Sequence, residues 1–130
     1  MKTWIILFSV LGIFSPLYAQ EIVNVYVWGG EIPREVVQQF EQETGIKVNF
    51  STYDSNETMY AKLLASNKSI YDVILPSAYY VERMQKQGML TPILAENLPN
   101  LTNIDSIFNQ NDYDPGNHFS VPLIWGLTGI

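Results

Sequence analysis

Apolar positions in this chain change their period several times between residues 22 and 88, and each change marks a new element. Ile22 to Trp28 (IVNVYVW) is β-branched and aromatic, which suits a buried strand. Gly29-Gly30 stops it, and Pro33 stands where a first helical residue often stands. Val36, Val37, Phe40 and Thr44 then recur at helical spacing, with Gly45 placed as a C-cap. Ile46 to Ser51 (IKVNFS) alternates apolar and polar residues as a strand does. Ser55 or Asn56 can cap a helix carrying Met59, Tyr60, Leu63 and Leu64. Tyr71 to Leu75 (YDVIL) reads as a third strand ended by Pro76, and Ala78 to Gln87 as a third helix ended by Gly88.

This order of strand and helix, repeated three times, predicts an α/β fold with a parallel-type sheet and flanking helices. In such sheets ligands bind beyond the C-terminal ends of the strands. Two turns meet that condition, Trp28 to Ile32 and Pro76 to Tyr80, and both carry aromatic or hydroxyl side chains. The pattern changes after Thr91. Asn, Asp and Pro crowd residues 97 to 117, which predicts a long surface excursion. His118 to Ile124 (HFSVPLI) reads as a further strand leading into Trp125, and the chain stops within this apolar stretch. Termini normally trail off polar and exposed, so a fragment or truncated product is expected.

The N-terminal segment stands apart from this pattern. Met1-Lys2 is a short basic start, Thr3 to Phe14 is nearly all apolar and uncharged, and Leu17-Tyr18-Ala19 offers a small-residue cleavage site. The apolar run is well short of the roughly 20 residues that span a bilayer, so residues 1–19 read as a signal peptide cleaved after Ala19, the alternative being an uncleaved anchor. The remaining 111 residues carry six cations against 13 acids, a net charge of -7. That balance argues against nucleic acid and anionic lipid as partners. The chain has no cysteine, so its fold needs no disulfide and no lipid is attached through a processed N-terminal Cys.

Three stretches carry a resemblance. Glu43 to Leu63 (ETGIKVNFSTYDSNETMYAKL) closely resembles the polyamine-binding proteins of bacterial ABC transporters. YDVILPSAYYVERMQKQGML and SVPLIWGLTGI are similar to the same family's third strand with its helix and to its segment approaching the domain crossover. The resemblance implies a type II periplasmic solute-binding protein, whose two lobes close on the ligand like a hinge, with residues 20–130 forming the early part of lobe 1 and the second lobe absent. It implies periplasmic capture of spermidine or putrescine by a monomer, delivery to an inner-membrane ABC permease, and no cofactor or metal.

A polyamine is a flexible alkyl chain with ammonium groups, held by aromatic faces and by carboxylates at the charged ends. By resemblance Trp28 is one of the ligand-lining aromatics, although a Trp at a strand end also serves a core. Ser77 and Tyr79 match the serine and tyrosine of the family's PS-x-Y turn. From the residues alone, Ser77 would be a helix cap. Tyr80 is expected to point elsewhere, because successive helical residues do not share a face. After Trp28, relatives often carry Thr or Ser, then an acid, then Tyr, whereas this chain has Gly29, Gly30, Glu31 and Ile32. Gly30 takes the acid position. Glu31 either supplies a carboxylate one step later along a loop that two glycines let adjust, or sits before a helix N-terminus where the dipole favours an acid.

The other polar residues invite less specific readings. Asp54 and Glu57 flank a helix start and suit the dipole. Asp72 is expected to organise backbone locally. His118 has no partner at ligand spacing, and Asp112-Tyr113-Asp114 lacks the glycine and terminal glutamate of an EF-hand, so no metal site is expected. No G-x-S-x-G occurs and no acid–base–nucleophile set surrounds His118, which argues against an enzyme. Within the binding class the alternatives are a type II protein for another small solute, such as iron, sulfate, thiamine or a sugar, and a remnant that no longer binds.

Overall fold

A computed structural model describes residues 20–66, 70–127 and 129. The expected signal peptide lies outside the described residues. The elements run β1 (Ile22–Trp28), α1 (Arg34–Thr44), β2 (Lys47–Tyr53), α2 (Asn56–Ala65), β3 (Val73–Ile74) and α3 (Ala78–Lys86), followed by three short 3-10 helices between Ala95 and Phe108. The strands form one parallel sheet of order β2-β1-β3, so the expected α/β architecture is present. β1 and β2 pair along their full lengths, from Ile22 opposite Lys47 to Trp28 opposite Tyr53. This register carries β2 two residues past the Ser51 expected from the alternation.

β3 is shorter than YDVIL suggested. Val73 and Ile74 pair with Val25 and Tyr26. Asp72 N–H donates to Asn24 O at 2.9 Å and Leu75 N–H to Tyr26 O at 3.0 Å, which extends the ladder by one bond on each side. Asp72 also accepts through Oδ2 from Asn24 N–H at 2.7 Å and from Asn24 Nδ2 at 3.2 Å. The carboxylate does organise backbone, but across 48 residues of sequence rather than locally.

Both sheet faces carry apolar side chains, with unequal cover. The main core lies under α2 and α3, where Tyr26, Tyr53, Met59, Tyr60, Tyr80 and Met84 are buried together. Tyr26 meets Tyr53 edge-on at 4.9 Å between centroids and stacks on Tyr71 at 4.4 Å. Lys62 Nζ rests 4.7 Å from the Tyr26 ring centre, and its butyl stem brings the ammonium over the aromatic face without burying it. On the other face Val25 and Val27 are buried, while α1 buries none of its residues and Phe40 and Phe50 stay partly exposed.

Most of the expected helix punctuation is observed, but Pro33 is the extended N-cap of α1 rather than its first helical residue, with ψ 139°. Gly45 adopts φ +74°, a left-handed conformation that disfavours side chains, and its N–H closes α1 on Glu41 O at 3.0 Å. Glu41 reaches past that end to accept from Val48 N–H at 2.9 Å and from Lys47 Nζ at 3.3 Å, and the backbone bond outweighs desolvation to hold its carboxyl below the ordinary range. Ser55 rather than Asn56 caps α2, accepting from Thr58 N–H at 3.1 Å. We expect Ser55→Ala to cost about 1 kcal/mol in urea unfolding, and Ser55→Asp, which keeps an acceptor there, to recover most of it.

The strand expected at 118–124 does not form within the described sheet. The N–H groups of His118, Phe119 and Ser120 are all taken by the Asp114 carboxylate, at 3.1, 2.9 and 2.8 Å, and Ser120 Oγ adds a fourth bond at 2.8 Å. Pro122 has no N–H to give. Among the described residues the segment has a backbone link from Ile93 N–H to His118 O at 2.7 Å. Asp114, fully buried, is therefore the organiser of a polar loop. Among the described residues no three or more His, Asp or Glu side chains converge as a metal ion would require.

Candidate functional site

The parallel register brings the two expected turns side by side. Tyr26 is opposite Ile74. Two residues further along both strands lie Trp28 and Pro76, each at the start of its turn. The C-terminal end of the sheet thus gathers Trp28, Gly30 and Glu31 from the β1–α1 turn and Ser77 and Tyr79 from the β3–α3 turn. Tyr53, the last residue of β2, joins the two groups.

Trp28 is half-buried and packs against the core. Its ring lies 4.9 Å from that of Tyr53, tilted by 56°. The Tyr53 hydroxyl donates to Leu75 O, two residues before Ser77, so one buried phenol ties the tryptophan to the second turn. Burial pushes that phenol's pKa up, and the charge of Glu31, then Tyr26, adds to the rise. The group stays protonated and keeps its donor. Glu31 itself is exposed, and its influence on Tyr53 places its negative field at this end of the sheet. Gly30 turns the loop with φ +84°, and no atom stands within 4 Å of where a Cβ would be, so the strain of that φ rather than crowding favours glycine. Gly30 also borders an open depression of about 230 Å³ together with Val27, Trp28, Ile32, Val37 and Phe50.

In the second turn Ser77 occupies the N-cap position of α3, yet its hydroxyl caps nothing. It accepts from Asn56 Nδ2 at 2.9 Å. The same amide nitrogen donates to Tyr79 Oη at 2.9 Å, and Asn56 Oδ1 accepts from Ser77 N–H at 3.0 Å. Asn56 is 3 % exposed, while Tyr79 is 59 % exposed. Tyr80 turns inward and is buried, as helical geometry requires of its neighbour, and its hydroxyl donates to Glu57 Oε1 at 3.4 Å.

Asn56 and Tyr53 are the two residues of this cluster that sequence reasoning missed. Asn56 stands three and four residues before the buried Met59 and Tyr60, which places it on the inward face of α2. That spacing was a usable signal, masked by reading the residue as a cap. Trp125, where either packing or a ligand role was open, is 67 % exposed and lies 5.9 Å from the Phe108 ring, away from this cluster's contacts.

The family described as bacterial extracellular solute-binding protein matches residues 35–129. The chain belongs to that family. It is 47% identical over 105 residues to the spermidine/putrescine-binding periplasmic protein of Escherichia coli, covering 81% of this chain and 30% of that protein. It is 39% identical over 112 residues to the putrescine-binding periplasmic protein SpuD of Pseudomonas aeruginosa, covering 85% and 30%. Among solved structures it resembles the spermidine/putrescine ABC transporter substrate-binding protein PotD of Streptococcus pneumoniae, with TM-score 0.75 and 37% identity over 79% of this chain and 32% of that one. The chain spans about a third of the length of the relatives it matches.

Proposed function

We propose that this chain contributes one wall of a periplasmic polyamine site, and that the protein captures spermidine or putrescine as a monomer and hands it to an inner-membrane ABC permease. The exposed Tyr79 carries the reading, because its hydroxyl is bonded by a buried amide while the residue stays 59 % exposed just beyond the C-terminal end of the sheet, beside the Tyr80 ring at 5.0 Å. Support comes from relatives 47% and 48% identical that are named for binding spermidine and putrescine. In this reading Trp28 and Tyr79 lie along the methylenes and ammonium groups, Ser77 offers an oxygen, Gly30 lets the loop approach, and Glu31 supplies negative charge. The role is capture without turnover. Export to the periplasm rests on residues 1–19 acting as a cleaved signal peptide.

The test is calorimetric titration of the protein isolated from its native periplasm with spermidine, putrescine and, as a monocationic control, butylamine. Saturable heat with both polyamines and none with butylamine is the expected outcome. No heat from either polyamine would remove the reading.

A further inference from the structure

Two hydroxyls at the candidate site share one buried amide, and the direction of that amide is fixed by chemistry. Ser77 N–H can only donate, so the Asn56 atom 3.0 Å away must be the carbonyl oxygen. The other end of the side chain is then Nδ2, with two hydrogens and no acceptor capacity. It reaches Ser77 Oγ and Tyr79 Oη, each at 2.9 Å, one hydrogen for each. Both hydroxyls are therefore acceptors toward Asn56. A hydroxyl has one proton and two lone pairs, and here one lone pair is spent. Neither proton can turn toward the amide, so each oxygen presents its proton and its second lone pair to other partners. Asn56 is 3 % exposed, so water does not replace it easily, and truncation would strand the Ser77 N–H.

We propose that Asn56 is a positioning residue that fixes the donor–acceptor sense of Ser77 and Tyr79 and holds the Tyr79 phenol at the site without touching the ligand. The inference rests on the polyamine reading only for its binding consequence. Asn56 couples α2 to the β3–α3 turn across 21 and 23 residues of sequence, and it acts on both hydroxyls at once. The first helical position of α2 thereby sets the hydrogen-bonding face of α3.

The test has one arm independent of ligand and one that uses putrescine, both on the complete native chain. In the first, the Ser77 amide and a ζ-¹³C label on Tyr79 are followed by NMR in Asn56→Asp and Asn56→Ala. Asn56→Asp keeps an acceptor for the Ser77 N–H but can no longer donate, so the Ser77 amide resonance holds its place while the Tyr79 carbon shifts. Asn56→Ala moves both and speeds Ser77 amide exchange. An unmoved Tyr79 carbon in Asn56→Asp would overturn the proposal, and the amide resonances of the rest of the chain, holding their places, show in the same spectra that the buried acid has not unfolded the variant. In the second arm, Asn56→Ala weakens putrescine binding about tenfold, a loss that two neutral hydrogen bonds account for. Adding Tyr79→Phe to it weakens binding by less than about threefold more, because the two residues act as a unit. Full additivity, or an unchanged affinity in Asn56→Ala, would overturn the role in binding. A wild-type protein that binds no putrescine defeats the polyamine reading instead, and the NMR arm still decides what Asn56 does.

Discussion

Replacing Tyr26 with alanine should cost about 3–5 kcal/mol, the range for deleting a large aromatic from a core. Tyr26 is 2 % exposed and sits in the central strand of the sheet, so the surroundings have little freedom to collapse into the space left behind. Its ring also meets Tyr53 edge-on and Tyr71 face-on, and it lies under the Lys62 ammonium. Aromatic pairs of this kind add roughly 0.5–1.5 kcal/mol beyond the area they bury. Guanidinium unfolding of wild type, Tyr26→Ala and Tyr26→Phe separates these contributions. The phenylalanine variant keeps ring and stack and should lose less than about 1.5 kcal/mol. The alanine variant should unfold at far lower denaturant, with a slope near that of wild type. A loss below about 1 kcal/mol for Tyr26→Ala would show that the aromatic cluster is not the centre of the core.

The cluster explains why so much of the fold was readable. Between Ile22 and Gly88 the apolar residues of each element repeat at its own period, even in α1, which buries none of its residues, and the stops are residues whose backbone demands a break. Gly45 with its positive φ and Ser55 with its bond to Thr58 N–H are local devices, complete within a few residues of sequence. Tyr79 and Tyr80 separate into an exposed and a buried ring for the same local reason. Even the place of the candidate site follows from strand order, since parallel strands put all their C-terminal ends on one edge.

What the sequence hid is contact over distance. Asn56 bonds residues 21 and 23 positions away, Asp72 bonds Asn24 at 48, and Tyr53 bonds Leu75 at 22. For the buried Asn56 and Tyr53 the long-range partner wins because burial makes an unpaired polar group costly, whereas the exposed Asp72 answers a backbone N–H of the neighbouring strand. The 118–124 segment failed in the other direction. Its alternation is strand-like, but alternation says nothing of ladder donors, and Asp114 takes three of them in succession.

Trp28→Ala separates the two roles that its sequence position left open. As a ligand-lining ring, Trp28 would present its face to an ammonium or to methylenes, an interaction of roughly 0.5–2 kcal/mol depending on how far the ammonium is desolvated. As a core residue it would contribute through its tilted contact with Tyr53 and its packing on the buried cluster. The structure gives it both surfaces, because one side meets Tyr53 and the residue as a whole is only half-buried. The expected result is therefore a combined loss. Polyamine affinity should fall by between about 3-fold and 30-fold, and stability should fall as well. Trp28→Phe should recover most of the stability and less of the affinity, because the indole face binds cations better than a phenyl ring. Titration and thermal unfolding of the same preparations give both numbers. Lowered stability with unchanged affinity would make Trp28 a core residue and move the aromatic wall of the site to Tyr79. Lowered affinity with unchanged stability would mean that the Tyr53 contact is incidental. Only the joint loss fits a ring that is held by the core on one side and meets the ligand on the other.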